Sequence, residues 1–428
     1  MKDYFGAAVD AAMELVAIDS VEGESCAASP FGEGVGKCLE KWAATAEALG
    51  FSVRNEGGYY VTADIGEGEV FGILGHMDVV PLGEGWTHNP LGEIDGGVIY
   101  GRGIMDDKGP MALCLYAVKE LIDKGYKPKY RIRFIAGGNE ESGWRCIDRY
   151  KEVDVMPELG FSPDADFPVI NCEKGLVHYR ISLPKPTSLI DIRGGERGNV
   201  VMPSCKAVVN FPVKGGEGVE VKDLGDGMWE ICANGTPAHA STPSLGDNAL
   251  WHILDALAVS NNRDYIALRD MLCDDTGAGL GIAMSDKLSG ALTANVGVIS
   301  CEGDSIEITL DVRHPVSVSK EKIADMISIA SGGKVIITHY HDPHYIKESS
   351  KLVQGLLGAY NDVTGSKCKP ISIGGGTYAR ALKGGVAFGP GFPGKPLTIH
   401  QKDERISLND FSLMYSIYLE AIKRVCFY

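Results

Sequence analysis

Short apolar runs that end in histidine or acidic residues are the feature of this sequence that most restricts its fold. Gly-Ile-Leu-Gly precedes His76-Met-Asp78, and Arg-Ile-Arg-Phe-Ile-Ala-Gly-Gly precedes Asn139-Glu140-Glu141. Alternate side chains of a β-strand share a face, and open α/β sheets bind ligands beyond the carboxyl ends of their strands. The pattern therefore predicts a sheet with a polar site at the ends of its strands.

Three further motifs carry residues of the same types. Asp106 and Asp107 lie in a glycine-framed turn before a predicted helix at 111–123, Asp164 follows Phe-Ser-Pro, and His400 follows Leu-Thr-Ile. Each motif by itself is also typical of a turn or a helix cap. Together they offer two histidines and four or five carboxylates, which suit zinc, cobalt or manganese. Such a set is too large for one tetrahedral ion but fits two ions bridged by a carboxylate.

The five motifs resemble those of a known family. HMDVVP, GRGIMDDKGP, GGNEESG, SPDADFP and IHQKDE occur in the order found in the dinuclear zinc metallopeptidases related to carboxypeptidase G, aminoacylase and succinyl-diaminopimelate desuccinylase. The similarity covers almost the whole chain and is greatest to bacterial dipeptidases of the dipeptidase V (Xaa-His, carnosinase-like) type. It implies an α/β catalytic domain, with a mixed central sheet flanked by helices, and an inserted α+β lid domain.

The resemblance also implies how the metal motifs act. His76 and Asp164 would bind one Zn²⁺ ion, and Glu141 and His400 would bind the other. Asp106 would bridge the two ions. Co²⁺ or Mn²⁺ could take the place of zinc in a site of this composition.

Two neighbouring residues would support the reaction. Asp78 would orient His76 by accepting its second ring N–H. Glu140 would take a proton from the attacking water and later pass it to the leaving amine. By the same resemblance, the peptide bond after Asp106 would be cis. The sequence contains no G-x-S-x-G motif and no cysteine with recognisable partners, so covalent catalysis is not indicated.

Residues between the metal motifs resemble the substrate-binding residues of the family's lid. His239, in Thr-Pro-Ala-His, would stabilise the oxyanion that forms from the scissile carbonyl. Arg313 would bind the terminal carboxylate of the substrate, for which a planar guanidinium is well suited. Asn199 would hold a polar end of the substrate.

A glycine-rich loop resembles a family loop near the substrate's carboxylate. It contains Gly375, Thr377 and Tyr378, and its glycines permit close backbone approach to an anion. No Lys-Ser/Thr follows in the Walker order, so a phosphate site is not indicated. The alternative for this loop is an ordinary glycine turn. Likewise, His239 could be a loop histidine without a catalytic role, and Arg313 could be a surface residue of a strand.

A separate histidine cluster is the alternative metal site. His339, His341 and His344 are the densest group among the ten histidines of the chain. No carboxylate-rich motif surrounds them, and in the family this segment is where the lid rejoins the catalytic domain. We therefore favour adventitious binding or none over a functional site.

Charge, cysteine usage and hydropathy indicate which partners and which compartment suit this chain. A net charge of −16 argues against nucleic acid and anionic membrane surfaces. Eleven cysteines without C-x-x-C spacing favour a reducing cytoplasm over a disulfide framework. Acidic residues interrupt the N-terminal segment, unlike a signal peptide, and no apolar run approaches the roughly 18 residues that span a membrane.

The order of the predicted elements indicates two domains. The Pro-Lys-Pro stretch at 184–186 predicts a boundary. We expect residues 1–186 and 344–428 to form the di-zinc catalytic domain, because helices alternate there with strands. Residues 187–343, in which predicted strands and helices mix, would form the inserted lid.

The leading hypothesis is a zinc dipeptidase that cleaves short peptides with a free carboxylate. An N-acyl-amino-acid deacylase, such as succinyl-diaminopimelate desuccinylase, is the alternative of the same class. A non-catalytic binding protein is the alternative of another class and would require a lost ligand or base. The long lid favours a monomer, although the chain is somewhat shorter than the usual members of the subfamily, which leaves a dimer open.

Overall fold

The computed structural model describes residues 2–216 and 218–428, which form two compact units. The first unit contains the chain up to Asn171 together with Ile346–Ile371 and Thr377–Tyr428. The second contains Cys172–Tyr345 and Ser372–Gly376. The predicted α/β class, with an α+β unit inserted into a mixed-sheet unit, is confirmed.

The regular elements are numbered in chain order. The α-helices are α1 (Tyr4–Val16), α2 (Glu33–Ala48), α3 (Lys108–Asp123), α4 (Arg145–Val153), α5 (Ala249–Ala258), α6 (Arg263–Leu272), α7 (Lys320–Ser331), α8 (Lys351–Thr364) and α9 (Leu408–Cys426). The strands are β1 (Ser52–Glu56), β2 (Tyr60–Ile65), β3 (Val70–His76), β4 (Glu93–Asp95), β5 (Val98–Tyr100), β6 (Arg131–Gly137), β7 (Leu159–Ser162), β8 (Ala165–Asp166), β9 (Ile170–Glu173), β10 (Gly175–Pro184), β11 (Leu189–Gly194), β12 (Ser204–Val209), β13 (Val219–Gly225), β14 (Met228–Asn234), β15 (Ser285–Asp286), β16 (Gly290–Ala291), β17 (Thr293–Glu302), β18 (Ser305–His314), β19 (Lys334–His341), β20 (His344–Tyr345), β21 (Ile371–Ile373), β22 (Gly384–Ala387), β23 (Pro390–Gly391) and β24 (Arg405–Ser407). Short 3₁₀ turns occur at Pro243–Leu245 and Tyr378–Ala381.

A mixed sheet forms the centre of the first unit, in the order β1-β2-β6-β3-β7-β22-β9. β3 runs parallel to β6 on one side and to β7 on the other, whereas β1, β2 and β6 pair antiparallel. Almost every residue of β3 and β6 is buried, because helices cover both faces of a sheet of this kind. The continuous apolar runs in the sequence therefore correspond to the central strands.

The helices of the first unit enclose this sheet in one apolar core. α2 packs on β1 and β2, while α3 packs on β3 and also contacts α1 and α9. Trp42 of α2 and Phe134 of β6 are fully buried, with ring centroids 6.0 Å apart. The predicted helix at 111–123 begins at Lys108, directly after the Asp106–Asp107 turn. The helix thus follows the predicted metal motif directly.

The second unit has its own sheet and its own core. Its strands lie in the order β13-β14-β12-β11-β17-β18-β10-β19. Along β10 the buried residues alternate with more exposed ones, as expected for a sheet with one covered face. β10 pairs with β18 and β19, so the second unit begins at Cys172 rather than at the predicted position 187. Pro184 ends a strand of this sheet and does not mark the boundary.

Serine and glycine determine where several helices begin and end. The Ser319 and Ser350 hydroxyl oxygens accept hydrogen bonds from backbone N–H groups in the first turns of α7 and α8. Gly332 and Gly365 end the same helices at φ values of 63° and 70°, which glycine adopts without a Cβ clash.

Within the described chain, no helix is long and apolar enough to cross a bilayer. All eleven cysteines are free thiols.

Candidate metal centre

Parallel strands bring the predicted metal motifs to one edge of the first unit's sheet. His76 is the last residue of β3, and it lies opposite Gly137, the last residue of β6. Glu140 and Glu141 follow β6, and Asp164 follows the next strand, β7. Because carboxyl ends of parallel strands lie at the same edge, these side chains converge.

Asp106 lies between the two predicted histidine ligands. Its Oδ1 is 2.9 Å from His76 Nε2, and its Oδ2 is 2.8 Å from His400 Nε2. The peptide bond between Asp106 and Asp107 is cis, as the resemblance implied. Each carboxylate oxygen of Asp106 therefore contacts a different imidazole.

Two overlapping groups of side chains could each hold an ion. His76 with Glu140 and Asp164 forms one group, and His76 with Asp106 and Glu141 forms the other. In each, one potential ligand atom per residue lies within 4.8 Å of the others. His400 Nε2 is also 2.9 Å from Glu141 Oε1. The structure thus brings together all five residues that were predicted as metal ligands.

The orientation of His76 is set mainly by the backbone of Asp78. His76 Nδ1 lies 2.9 Å from the Asp78 carbonyl oxygen but 3.5 Å from Asp78 Oδ1. Nδ1 donates its proton to that carbonyl, so Nε2 is the ring nitrogen that faces Asp106. The Asp78 carboxylate accepts instead from the backbone N–H groups of Glu140 and Glu141, at 3.0 and 3.1 Å. Asp78 therefore links the β3 and β6 motifs as well as contacting His76.

Glu140 is held by an aromatic residue that follows it in sequence. Trp144 Nε1 donates a hydrogen bond of 2.9 Å to Glu140 Oε1. Trp144 has a left-handed backbone conformation (φ 61°) at the start of α4, and its ring packs edge-on against Tyr378, with centroids 5.2 Å apart. Non-glycine residues adopt this conformation at a cost, which the surrounding packing must offset.

Burial and mutual repulsion dominate the electrostatics of the carboxylates. Burial, followed by the negative charge of Asp164, raises the pKa of Glu140 well above its usual value. Burial and Asp106 raise the pKa of Asp164 to about 6. Burial alone would also raise the pKa of Asp106, but hydrogen bonds from His400 and His76 hold it well below its usual range. Negative charge is thus concentrated on the residue between the histidines.

The two histidines respond to the same carboxylates. Hydrogen bonds to Asp106 and Glu141 raise the pKa of His400 to about 10. Burial would lower the pKa of His76, yet contacts with Asp106, Asp164 and Asp78 raise it well above its usual value. In the protein without bound cations, imidazolium groups therefore offset part of the carboxylate charge.

The predicted substrate-binding residues divide between the two units. Asn199, His239, Arg313 and Gly375 belong to the second unit, and the Asn199 carbonyl accepts from the N–H of the residue after His239. Burial and the positive charge of Arg313 lower the pKa of His239. Thr377 and Tyr378 belong to the first unit, where both are buried.

Arg313 makes most of its contacts within the second unit. Its Nε and Nη2 donate to the two carboxylate oxygens of Asp311 at 2.7 and 3.0 Å, and its Nη1 donates to the Gly374 carbonyl at 3.0 Å. Asp311 also lies 3.0 Å from His178 Nε2. One edge of the guanidinium fork is therefore occupied by a protein carboxylate.

The alternative histidine cluster does not form a compact ligand set. His339 and His341 lie on β19 and His344 on β20, with the first two ring centroids 4.8 Å apart. Within residues 2–216 and 218–428, the only groups of three possible ligands within 4.8 Å are those around His76.

Three residues that hydrogen-bond to predicted site residues or to the segments beside them had no role predicted from the sequence. Glu404 belongs to the quoted IHQKDE motif, Trp144 follows GGNEESG, and Asp311 precedes Val-Arg313. Their proximity to recognised motifs was the available signal. Their hydrogen-bond partners depend on loop conformation, which sequence spacing does not define.

The fold and the site define the class of the protein, a metallopeptidase. The chain belongs to the peptidase family M20/M25/M40, whose family model matches residues 72–424. This result confirms the family resemblance found in the sequence. The chain is therefore a peptide hydrolase of a metal-dependent family.

Individual relatives agree with this assignment. The chain is 37% identical over 439 residues to "Putative dipeptidase YtjP" of Bacillus subtilis (strain 168), an alignment covering 96% of this chain and 95% of that protein. Its fold is similar to that of the M20 family metallo-carboxypeptidase Sso-CP2 from Sulfolobus solfataricus, with a TM-score of 0.58, 17% identity and 99% of both chains covered. It is also similar to human carnosine dipeptidase 1, with a TM-score of 0.55, 15% identity and coverage of 98% of this chain and 97% of that one.

Proposed function

We propose that this chain is a dinuclear zinc dipeptidase in which Glu140 is the general base. The observation that carries the proposal is the position of Asp106, with one oxygen 2.9 Å from His76 Nε2 and the other 2.8 Å from His400 Nε2. A carboxylate that directs its two oxygens at different ligands is suited to bridge two ions.

The donor set fits two divalent cations. Asp106 would bridge, His76 and Asp164 would complete one site, and Glu141 and His400 would complete the other. Imidazole nitrogen and carboxylate oxygen are the ligands of catalytic zinc sites, and Co²⁺ or Mn²⁺ can use the same atoms. Bound cations would supply Lewis acidity, which acidifies water and polarises a carbonyl oxygen.

Glu140 has the contacts expected of a general base. Trp144 holds Oε1, which leaves Oε2 to accept a proton from the attacking water. Burial raises the pKa of this carboxyl group, which favours uptake of a proton, and Glu140 would later pass that proton to the departing amine nitrogen. Proton transfer by a positioned carboxylate contributes about 10²–10⁴-fold to a rate.

The proposed substrate is a short peptide with a free carboxylate. The relative from Bacillus subtilis carries the name of a dipeptidase, which supports this choice over an N-acyl amino acid. We propose that Arg313 binds the carboxylate through N–H groups not engaged by Asp311 and Gly374. Asn199 and His239 would contact the polar groups of the substrate, a role that rests on the family resemblance alone.

Elemental analysis of the purified protein, together with a hydrolysis panel, tests the proposal. We expect two zinc ions per chain at saturation and turnover of unblocked dipeptides. Fewer than two ions would contradict the dinuclear site. Turnover of N-acyl amino acids without turnover of dipeptides would contradict the dipeptidase assignment and leave the metal assignment intact.

A further inference from the structure

Glu404 joins two segments of the first unit that are distant in sequence. It directly precedes β24, whose first residue, Arg405, pairs with Tyr100 at the end of β5. The Glu404 carbonyl accepts a hydrogen bond of 2.9 Å from the backbone N–H of Gly101. Its side chain is fully buried, with 0% exposure, although it carries a carboxylate.

Both carboxylate oxygens of Glu404 contact the segment that leads into the Asp106 turn. Oε1 accepts from the backbone N–H groups of Gly103 and Met105, each at 3.0 Å. Oε2 accepts from Arg102 Nη1 at 2.8 Å. Hydrogen bonds to an ionised acceptor are the stronger kind in proteins. Met105, one of these donors, directly precedes Asp106.

The other side of this connection is the loop that carries His400. His400 and Asp403 both have left-handed backbone conformations, with φ values of 62° and 53°. Such conformations persist in non-glycine residues only where the surroundings enforce them. Asp403 is held by the backbone N–H groups of Thr87 and His88, at 2.8 and 3.1 Å. Glu404 holds the next position along the chain.

We propose that Glu404 is a positioning residue that sets the separation of Asp106 and His400 and thereby the affinity of the site for metal. The inference rests on the proposed function, in which these two residues are ligands. Their contact of 2.8 Å joins loops that are otherwise far apart in the chain. Glu404 joins the segment before Asp106 to a point four residues beyond His400.

The Glu404→Gln variant tests this role while preserving the size of the side chain. A glutamine has one carbonyl oxygen and one NH₂ group, so it can accept from Arg102 or from the backbone N–H groups but not from both sets. The matched control is Asp64→Asn. Asp64 accepts two hydrogen bonds from Arg133, at 2.8 and 2.7 Å, in a largely buried pair of the same unit.

The measurement is stepwise zinc titration of the metal-free proteins, combined with urea unfolding. We expect Glu404→Gln to bind zinc about 10–100-fold more weakly, the usual effect of losing a residue that orients ligands. Asp64→Asn should lower stability and leave zinc affinity unchanged. Excess zinc should also restore turnover in Glu404→Gln and have no effect on Asp64→Asn.

Zinc affinity in Glu404→Gln equal to that of the wild type would overturn the proposal, even if the variant were less stable. Equal loss of zinc affinity in both variants would also overturn it, because any damage to the fold would then suffice. A wild type that binds only one zinc ion would contradict the dinuclear site. The role of Glu404 would still be tested by the ratio of the zinc affinities of the wild type and Glu404→Gln. A wild type that binds no zinc would overturn both.

Discussion

The two units contain polar clusters that balance charge in different ways. In the first unit, four carboxylates surround two histidines: Asp106, Glu140, Glu141 and Asp164, with His76 and His400. In the second unit, one carboxylate, Asp311, lies between Arg313 and His178, and its pKa stays below the usual value despite burial. The second cluster is balanced by its own side chains, and the first has an excess of negative charge.

This difference indicates why only one cluster is a candidate for cation binding. Buried carboxylates without enough positive partners are costly, and they either take up protons or bind cations. Burial, and after it the negative charge of neighbouring carboxylates, raises the pKa values of Glu140 and Asp164. The guanidinium of Arg313 already supplies the cation that Asp311 requires. Substitutions in the first cluster should therefore change metal chemistry, and substitutions in the second cluster should change stability.

The largest effect is expected for Glu140→Ala. Loss of the general base should lower kcat by about 10²–10⁴-fold, while elemental analysis still finds both metal ions. Glu158→Ala is a suitable control, because Glu158 is an exposed residue of the same unit that pairs with Lys383 at 3.0 Å. Near-normal turnover in Glu140→Ala would show that the base is assigned wrongly.

Asp311→Asn should have the next largest effect, on stability instead of metal content. Arg313 and Asp311 are almost fully buried, and breaking a buried pair typically costs about 3–5 kcal/mol. Urea unfolding measures the loss, and zinc titration should give the wild-type result. The exposed pair of Asp191 and Arg193 provides the control, since Asp191→Asn should cost less than about 1 kcal/mol. Loss of zinc from Asp311→Asn would contradict the assignment of metal binding to the first cluster alone.

Trp144→Phe should lower kcat with the metal content unchanged. The substitution removes the indole N–H that donates to Glu140 and keeps an aromatic ring against Tyr378. A hydrogen bond to a charged group contributes about 1.5–3 kcal/mol, which corresponds to about 10–100-fold in rate. Trp86→Phe, which removes an indole contact to the Leu82 carbonyl, is the control. Equal kcat values for the two variants would remove Trp144 from the mechanism.

The smallest effect concerns acid stability of the second unit. Although burial opposes the shift, hydrogen bonds from Ser289 and its neighbours lower the pKa of Asp286 from 3.8 to about 2. A depressed carboxyl pKa stabilises the fold above the unfolded-state value, and this contribution is lost as pH falls from about 4 to about 2. Asp286→Asn should therefore flatten the pH dependence of the urea midpoint in this window. Identical profiles for variant and wild type would contradict the expectation.

The motif order predicted which side chains meet at one edge of the sheet, because the strands carry the motifs. His76 and Glu140 follow apolar runs, and such runs become central strands that end at the same edge of the sheet. The predicted boundary at 186/187 differs from the start of the second compact unit at Cys172, and Pro184 ends β10, a strand of that unit's sheet. Proline restricts the local backbone, but it does not show which sheet a strand joins.

Side-chain contacts between loops could not be predicted from the sequence. Asp78 was expected to orient His76 through its carboxylate, and the structure gives the closer contact to its carbonyl. Trp144 follows a recognised motif, but its hydrogen bond to Glu140 accompanies a left-handed backbone conformation. Glu404 belongs to a recognised motif, but its partners lie on a segment brought close by the pairing of β24 with β5. Such features depend on packing that local patterns do not encode.

The sequence by itself determined the family, through the resemblance of its five motifs. It also determined the class of fold and the residue types of the candidate metal centre, because apolar runs and strand-end motifs are local properties of the chain. Tertiary structure decided which atoms meet. Asp106 and His400 are distant in the chain and approach to 2.8 Å, and Glu404, close to His400 in the chain, accepts hydrogen bonds from the segment before Asp106. The folded chain thereby concentrates negative charge in the first unit, whereas Asp311 and Arg313 neutralise each other in the second.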